Sequence, residues 1–325
     1  MASLILRRLL LAIPIALAVA TLLFVLLETA PGSPADALLG DAPVPPEVRD
    51  RVERAYGLDR SPIERYAAWV KGLAVGDLGW SPTLRRPVSR ALAEALPPTL
   101  LLAGSALILQ LALGVFLGWL SAAYRDRWPD RLLGGMSWTI YSLPTFWLGL
   151  MAIVVFSSRL GWFPASSMHA VGVEKMSSVG RGLDLVWHLT LPTLVLGLSS
   201  AAALTRFVRT GLLDAMSQPF IRAARARGAG LSRLLTGHAL RHALLPVVNL
   251  LGLSLPILVS GSLVVEVIFG WPGMGSLTYR AIQARDPSLV MAAALISAVL
   301  VVIGNLFADV GMLLLDPRIR SKQST

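Results

Sequence analysis

The sequence contains no cysteine, which excludes a disulfide scaffold, a thiol nucleophile, a Cys-ligated zinc and an iron–sulfur centre. Its only lysines are Lys71, Lys175 and Lys322, and none follows a glycine. The chain therefore lacks a phosphate-cradling loop, which needs glycines followed by Lys and Ser or Thr. Charge is also sparse: 15% of the 325 residues are Asp, Glu, Lys or Arg, against about a quarter in a typical soluble domain. What replaces it is apolar, at 55% of the chain and a mean hydropathy of +0.67. So much apolar surface cannot be hidden in one core, which rules out a soluble enzyme and a disordered chain. The net charge of +10 is read first against a membrane rather than a nucleic acid, because its placement decides topology.

A helix needs about 20 mostly apolar residues to span a bilayer. Six stretches qualify: Leu9–Leu27, Ala95–Tyr124, Leu132–Ser158, Leu185–Thr205, His242–Val265 and Pro287–Ala308. Five is the competing count, since His188 and Pro192 crowd the start of the fourth. The first stretch exceeds the roughly 7–15 residues of a signal-peptide core and is read as a retained helix. Prolines in or beside these stretches, Pro14, Pro98, Pro144, Pro192, Pro246 and Pro256, are of the kind membrane helices tolerate. Six crossings place both termini on one side. The segments on that side hold Arg7, Arg8, Arg125, Arg127, Arg131, the arginines from Arg206 to Arg241, Arg318, Arg320 and Lys322, against few acids. The positive-inside rule makes that side cytoplasmic.

The expected organisation is an N-terminal helix plus an extracytoplasmic segment (1–97), a five-helix transmembrane domain (98–317) and a cytoplasmic tail (318–325). The outside segment carries helical signals. Pro46 opens one helix, with Val48, Val52 and Tyr56 spaced on a face and Gly57 at its end. Ser61-Pro62 opens a second, with Ile63, Tyr66, Ala67, Val70 and Leu73, and Val88–Leu96 leads into the second span. No internal repeat supports an inverted-repeat transporter.

The loop between spans four and five, 217–241, is the most informative. Gln218-Pro219 starts a short helix, Phe220–Arg227, which Gly228 and Gly230 break, and a second helix starts at Leu231. Ala223, Ala224 and Ala226 stand among three arginines, the composition of a helix that docks in a partner's groove. A basic loop drawn to anionic lipid is the alternative on composition alone.

Catalytic chemistry is scarce. His238 and His242 share a helix face, but Ala-Leu-Arg between them lacks the Glu of a zinc hydrolase. His169 and His188 lie outside or at a span edge, poorly placed for a membrane serine protease. Gly114 and Gly118 form a GxxxG, a weak sign of close helix packing. Glu266 and Asp309 stand out as carboxylates in or near spans, where a charge is costly unless it faces water or a partner. Trp271-Pro272-Gly273, after span five, reads as a turn with an interfacial aromatic anchor.

Together these residues resemble the permease subunit of binding-protein-dependent ABC importers, in the dipeptide, oligopeptide and nickel branch. The resemblance runs nearly end to end. It covers Leu6-Arg7-Arg8, Ala30-Pro31-Gly32, Tyr56-Gly57-Leu58-Asp59, Gly76-Asp77-Leu78-Gly79 and Arg86-Pro87-Val88. It continues through Leu143-Pro144-Thr145-Phe146-Trp147, Arg206 with Arg209, Glu266-Val267-Ile268-Phe269 and Leu315-Asp316-Pro317-Arg318. The loop resembles the EAA motif that docks ATPases: Ala223, Ala224 and Gly228 match its Ala-Ala and Gly, and Leu240 its later Leu. Arg222 replaces its Glu and Arg241 its Pro. This favours docking over lipid for the loop.

The resemblance implies an all-α polytopic membrane protein of the type I ABC importer permease fold, in a prokaryotic inner membrane. Its implied partners are a second homologous permease, two cytoplasmic ATPases, an extracytoplasmic solute-binding protein and membrane lipid, without nucleic acid. It implies no catalytic residue and no cofactor of its own, since ATP would be bound by the partner ATPases. The implied coupling residues are Arg222, Ala223, Ala224, Gly228, Leu240 and Arg241, with Glu266 and Asp309 at the pathway or a subunit interface. Short peptides are the expected cargo. Nickel or another small solute in the same architecture, or a self-contained channel or membrane enzyme, are the alternatives.

Overall fold

The computed structural model describes residues 2–29, 45–55, 59–244, 247 and 262–315. Its helices are α1 (Ala2–Thr29), α2 (Pro46–Ala55), α3 (Pro62–Ala74), α4 (Val88–Ala123), α5 (Trp128–Ser142), α6 (Thr145–Ala152) and α7 (Ser178–Met216), followed by α8 (Pro219–Ala226), α9 (Leu231–Arg233), α10 (Met274–Gln283) and α11 (Pro287–Leu315). Residues 262–268 are also helical. α6 and α9 each continue into a π-helical turn, Ile153–Arg159 and Leu234–Ala239. A small hairpin not expected from the sequence pairs β1 (Trp80–Ser81) antiparallel with β2 (Arg86–Pro87), in the register Trp80 to Pro87 and Ser81 to Arg86.

Three of these helices are long and apolar enough to cross a bilayer: α4, α7 and the Pro287–Phe307 part of α11. α5 and α6 make a fourth only as a pair, bent by 103° where they meet. The third span, expected as one continuous helix, is thus broken. Pro144 explains it: a proline drives the preceding residue out of the helical region, and Leu143 is extended, at φ −85 and ψ 133. The apolar part of α1, Ile13–Thr29, is shorter. Most of the expected fifth span lies outside the described residues, as do Tyr56 and Gly57 after α2.

The chain divides into two compact units, Met1–Thr99 with Pro272–Val302, and Leu100–Trp271 with Ile303–Thr325. In the first, α3 begins with a capping box. Ser61 accepts from the Glu64 N–H, and the Glu64 carboxylate accepts from the Ser61 N–H at 3.0 Å. Those hydrogen bonds, to the backbone first, hold the Glu64 carboxyl below its ordinary range. α3 presents Tyr66, Trp69, Val70 and Leu73 inward, while Ile63 and Ala67 of the expected face are exposed. Tyr66 ties α3 to α1 through Thr21 (2.6 Å) and through Phe24, whose ring centroid is 5.2 Å away. The unit's core joins Val88, Leu92 and Ala95 of α4 to Met274, Leu277 and Ala281 of α10 and to Leu289 of α11.

In the second unit, α4 and α7 approach through glycines. A Cβ on Gly114 would stand 2.6 Å from Leu204 Cδ2, and one on Gly118 would stand 2.7 Å from Val208 Cβ and 2.8 Å from the Thr205 carbonyl. The GxxxG is therefore a seat for α7 within the chain. One core of the unit gathers Leu102, Ala106, Leu191, Val195, Phe269 and Trp271. Trp271 is fully buried, so it is a core residue and not the interfacial anchor expected from the sequence. A second core lies under α8.

Candidate functional site

α8 is short, and its sequence divides it cleanly. Pro219 at the first helical position fits a start, since its missing N–H is one the helix leaves unbonded anyway. Ile221 and Ala224 point inward and are buried with Leu212 and Ala215 of α7 and Leu234, Leu235, Ala239 and Ala243. The Phe220 ring packs on His242 with centroids 4.6 Å apart, which occupies one of the two histidines that share a helix face. Arg222, Ala223, Arg225, Ala226 and Arg227 are left exposed.

The helix ends in a Schellman motif. The Gly228 N–H bonds the Arg225 carbonyl at 2.9 Å and the Ala229 N–H bonds the Ala224 carbonyl at 3.2 Å. The motif needs a left-handed residue, which Gly228 supplies at φ +85. Apart from its neighbours in the chain, no atom of the described residues lies within 4 Å of where a Gly228 Cβ would be. The loop thus holds a basic, small-residue ridge in a fixed orientation on a packed base.

Of the implied coupling residues, Arg222, Ala223, Gly228 and Arg241 are exposed, Leu240 is half-buried against the core beneath, and Ala224 is part of that core. Glu266, in the helical stretch 262–268, is completely buried within the chain. Asp309 lies on α11, and its side chain is outside the described residues.

Two features of this region escape sequence reading. A cleft of about 670 Å³ adjoins α8, with Trp119, Tyr124, Arg125, Arg127, Arg225 and Leu231 among its lining. Behind it, Asp130 at the start of α5 is buried and receives both Nε and Nη2 of Arg209, each at 2.7 Å, the Ser121 hydroxyl, and the Asp126 N–H at 2.9 Å. This joins the ends of α4 and α5 to α7, seven residues before α7 finishes. In the sequence, Asp130 and Arg209 counted only toward the charge balance and the resemblance, since a pair 79 residues apart leaves no local pattern.

The described residues form a helical, multi-pass membrane protein with a rigidly mounted basic helix in a loop. The family is defined by comparison. Residues 114–321 match the binding-protein-dependent transport system inner membrane component family, and residues 1–103 match the N-terminal domain of such membrane components. The chain belongs to this family of binding-protein-dependent importer permeases.

Among its relatives, the oligopeptide transport system permease protein AppB of Bacillus subtilis is 40% identical over 323 residues, covering 98% of this chain and 99% of AppB. A putative peptide transport system permease protein of Brucella abortus is 36% identical over 320 residues, covering 98% and 99%. The glutathione transport system permease protein GsiC of Escherichia coli is 34% identical over 322 residues, covering 99% and 100%. The chain is accordingly a transport subunit.

Proposed function

We propose that this chain is one of two homologous permeases that together form the pathway of an ATP-driven importer of short peptides. The observation that carries the mechanism is α8: a helix moored by Ile221 and Ala224, with arginines and alanines facing outward. Small residues permit close approach and arginines pair with carboxylates on a partner. In this reading α8 seats in a groove on a cytoplasmic ATPase, so that nucleotide-driven movement of the ATPase is delivered to α7 and, through Arg209 and Asp130, to α5. ATP is bound by those partners. Both termini are cytoplasmic and the chain crosses the membrane six times, as the arginine distribution favours. We take Asp309 as a carboxylate of the pathway or subunit interface. Glu266, enclosed by its own chain here, meets either one only when its helix moves.

Peptide cargo is supported by the relatives, whose names refer to oligopeptides, peptides and glutathione, itself a tripeptide. A peptide is read by the external binding protein and needs no tight site in the membrane. The test is uptake by the reconstituted importer of labelled di- and oligopeptides beside labelled nickel. ATP-dependent peptide uptake is expected. Nickel uptake with none of any peptide would replace the cargo while leaving the architecture, and full activity without ATPases would overturn the importer itself.

A further inference from the structure

Two arginines of α7, three residues apart, are treated differently. Arg209 is neutralised by Asp130. The guanidinium carbon of Arg206 instead lies 4.1 Å from the centroid of the Trp138 ring and 4.9 Å from that of Tyr141, and its buried Nε has no hydrogen-bond partner among the described residues. Trp138 and Tyr141 are one turn apart on α5, so they form one aromatic face. Ring faces offset part of the cost of a cation in an apolar helix. They do not use its fork of N–H donors, which matches a planar carboxylate.

The second observation is the helix break directly after Tyr141. The last carbonyls of α5 and the first N–H groups of α6 have no intrahelical partners, and Ser142, Pro144, Trp138 and Tyr141 are all exposed on this chain. Irregular backbone at membrane depth is tolerated only against protein or a wet cavity. By the helix rise, Trp138 lies about 9 Å and Tyr141 about 14 Å beyond Leu132, where the apolar stretch begins. With α5 along the membrane normal, both rings would stand deeper than a headgroup layer of about 5–7 Å, which disfavours a lipid phosphate at this face.

We infer that Arg206, backed by Trp138 and Tyr141 at the break between α5 and α6, is an anion site on the translocation pathway that takes the C-terminal carboxylate of the passing peptide. This rests on the peptide-import reading. The C-terminal carboxylate is the anion common to peptides whatever their side chains, so one site of this kind serves a sequence-tolerant permease.

The experiment uses the whole importer in proteoliposomes, with the binding protein loaded to equal occupancy with labelled trialanine or its C-terminal amide. In Arg206→Gln, uptake of the free acid should fall about tenfold, the worth of one charge-assisted hydrogen bond, while uptake of the amide stays within twofold of wild type. Arg206→Lys, which keeps the charge without the planar fork, should fall between. An equal loss for acid and amide would overturn the assignment and make Arg206 structural. So would an unchanged acid-to-amide ratio in Arg206→Lys where Arg206→Gln fails to assemble. A change only in the response to added phosphatidylglycerol would assign the site to lipid. Wild-type uptake of neither compound defeats the peptide reading itself, before any variant is compared.

Discussion

Two buried aspartates, one in each unit, stand at the start of a helix and fasten it to a segment distant in sequence, but with different chemistry. Asp286 caps α11, accepting the Leu289 N–H at 3.1 Å, and takes its other donors from the hydroxyls of Ser81 at 2.5 Å and Thr83 at 2.7 Å. All three donors are neutral, so the hairpin is pinned by hydrogen bonds without a counter-charge. Asp130 has a full counter-charge in Arg209, with Ser121 and the Asp126 N–H filling its remaining acceptor sites. The first arrangement is a pin. The second ties the ends of α4 and α5 to α7, and its strength depends on both members staying together.

The largest expected effect separates these two. Asp130→Ala leaves Arg209 without its anion and should cost about 3 kcal/mol, the lower end for breaking a buried pair, because Arg209 is partly exposed. Replacing both residues by Leu should recover most of that loss. Asp286→Ala should cost about 2 kcal/mol, from a lost cap and from the Ser81 and Thr83 hydroxyls losing their acceptor. The Asn variants sharpen the contrast: Asp286→Asn keeps an acceptor oxygen and most of the stability, whereas Asp130→Asn forfeits the ion pair. Thermal unfolding of the purified complex measures all of these, and equal losses for the two Asn variants would erase the distinction.

A smaller effect compares two helix ends with the same geometry. α10 closes in a Schellman motif like that of α8, with the Arg285 N–H on the Ile282 carbonyl and the Asp286 N–H on the Ala281 carbonyl. Its left-handed position holds Arg285 at φ +50, where α8 has glycine. Gly228→Ala should destabilise by about 1 kcal/mol and Arg285→Gly should stabilise by about 0.5–1 kcal/mol. Shifts of the same sign in unfolding temperature would contradict this reading.

Local signals in the sequence located much of this. Pro219 and Gly228 bracket α8 to within a residue, Ser61-Pro62 opens α3, and the apolar stretches mark α4, α7 and α11. Proline was ambiguous. Pro14, Pro97, Pro98 and Pro192 all sit inside continuous helices, whereas Pro144 ends one helix and begins another. The difference shows at Leu143, which is extended before Pro144. The link from Ser81 to Asp286 spans 205 positions and left no periodic trace. Arg206 was visible only as positive charge and as part of the resemblance, because the rings that hold it lie on another helix.

The central claim is that the outward face of α8 meets an ATPase, and the absence of native cysteine makes a direct test available. Ala223→Cys places a thiol on the exposed face, and Ala224→Cys places one on the buried face a residue away. In the assembled complex, a maleimide carrying a photoreactive benzophenone, which inserts into C–H bonds and needs no thiol on the partner, should on illumination join position 223 to an ATPase subunit and leave position 224 unlinked. An assembled complex in which position 223 never captures an ATPase, or in which both positions do so equally, would contradict it.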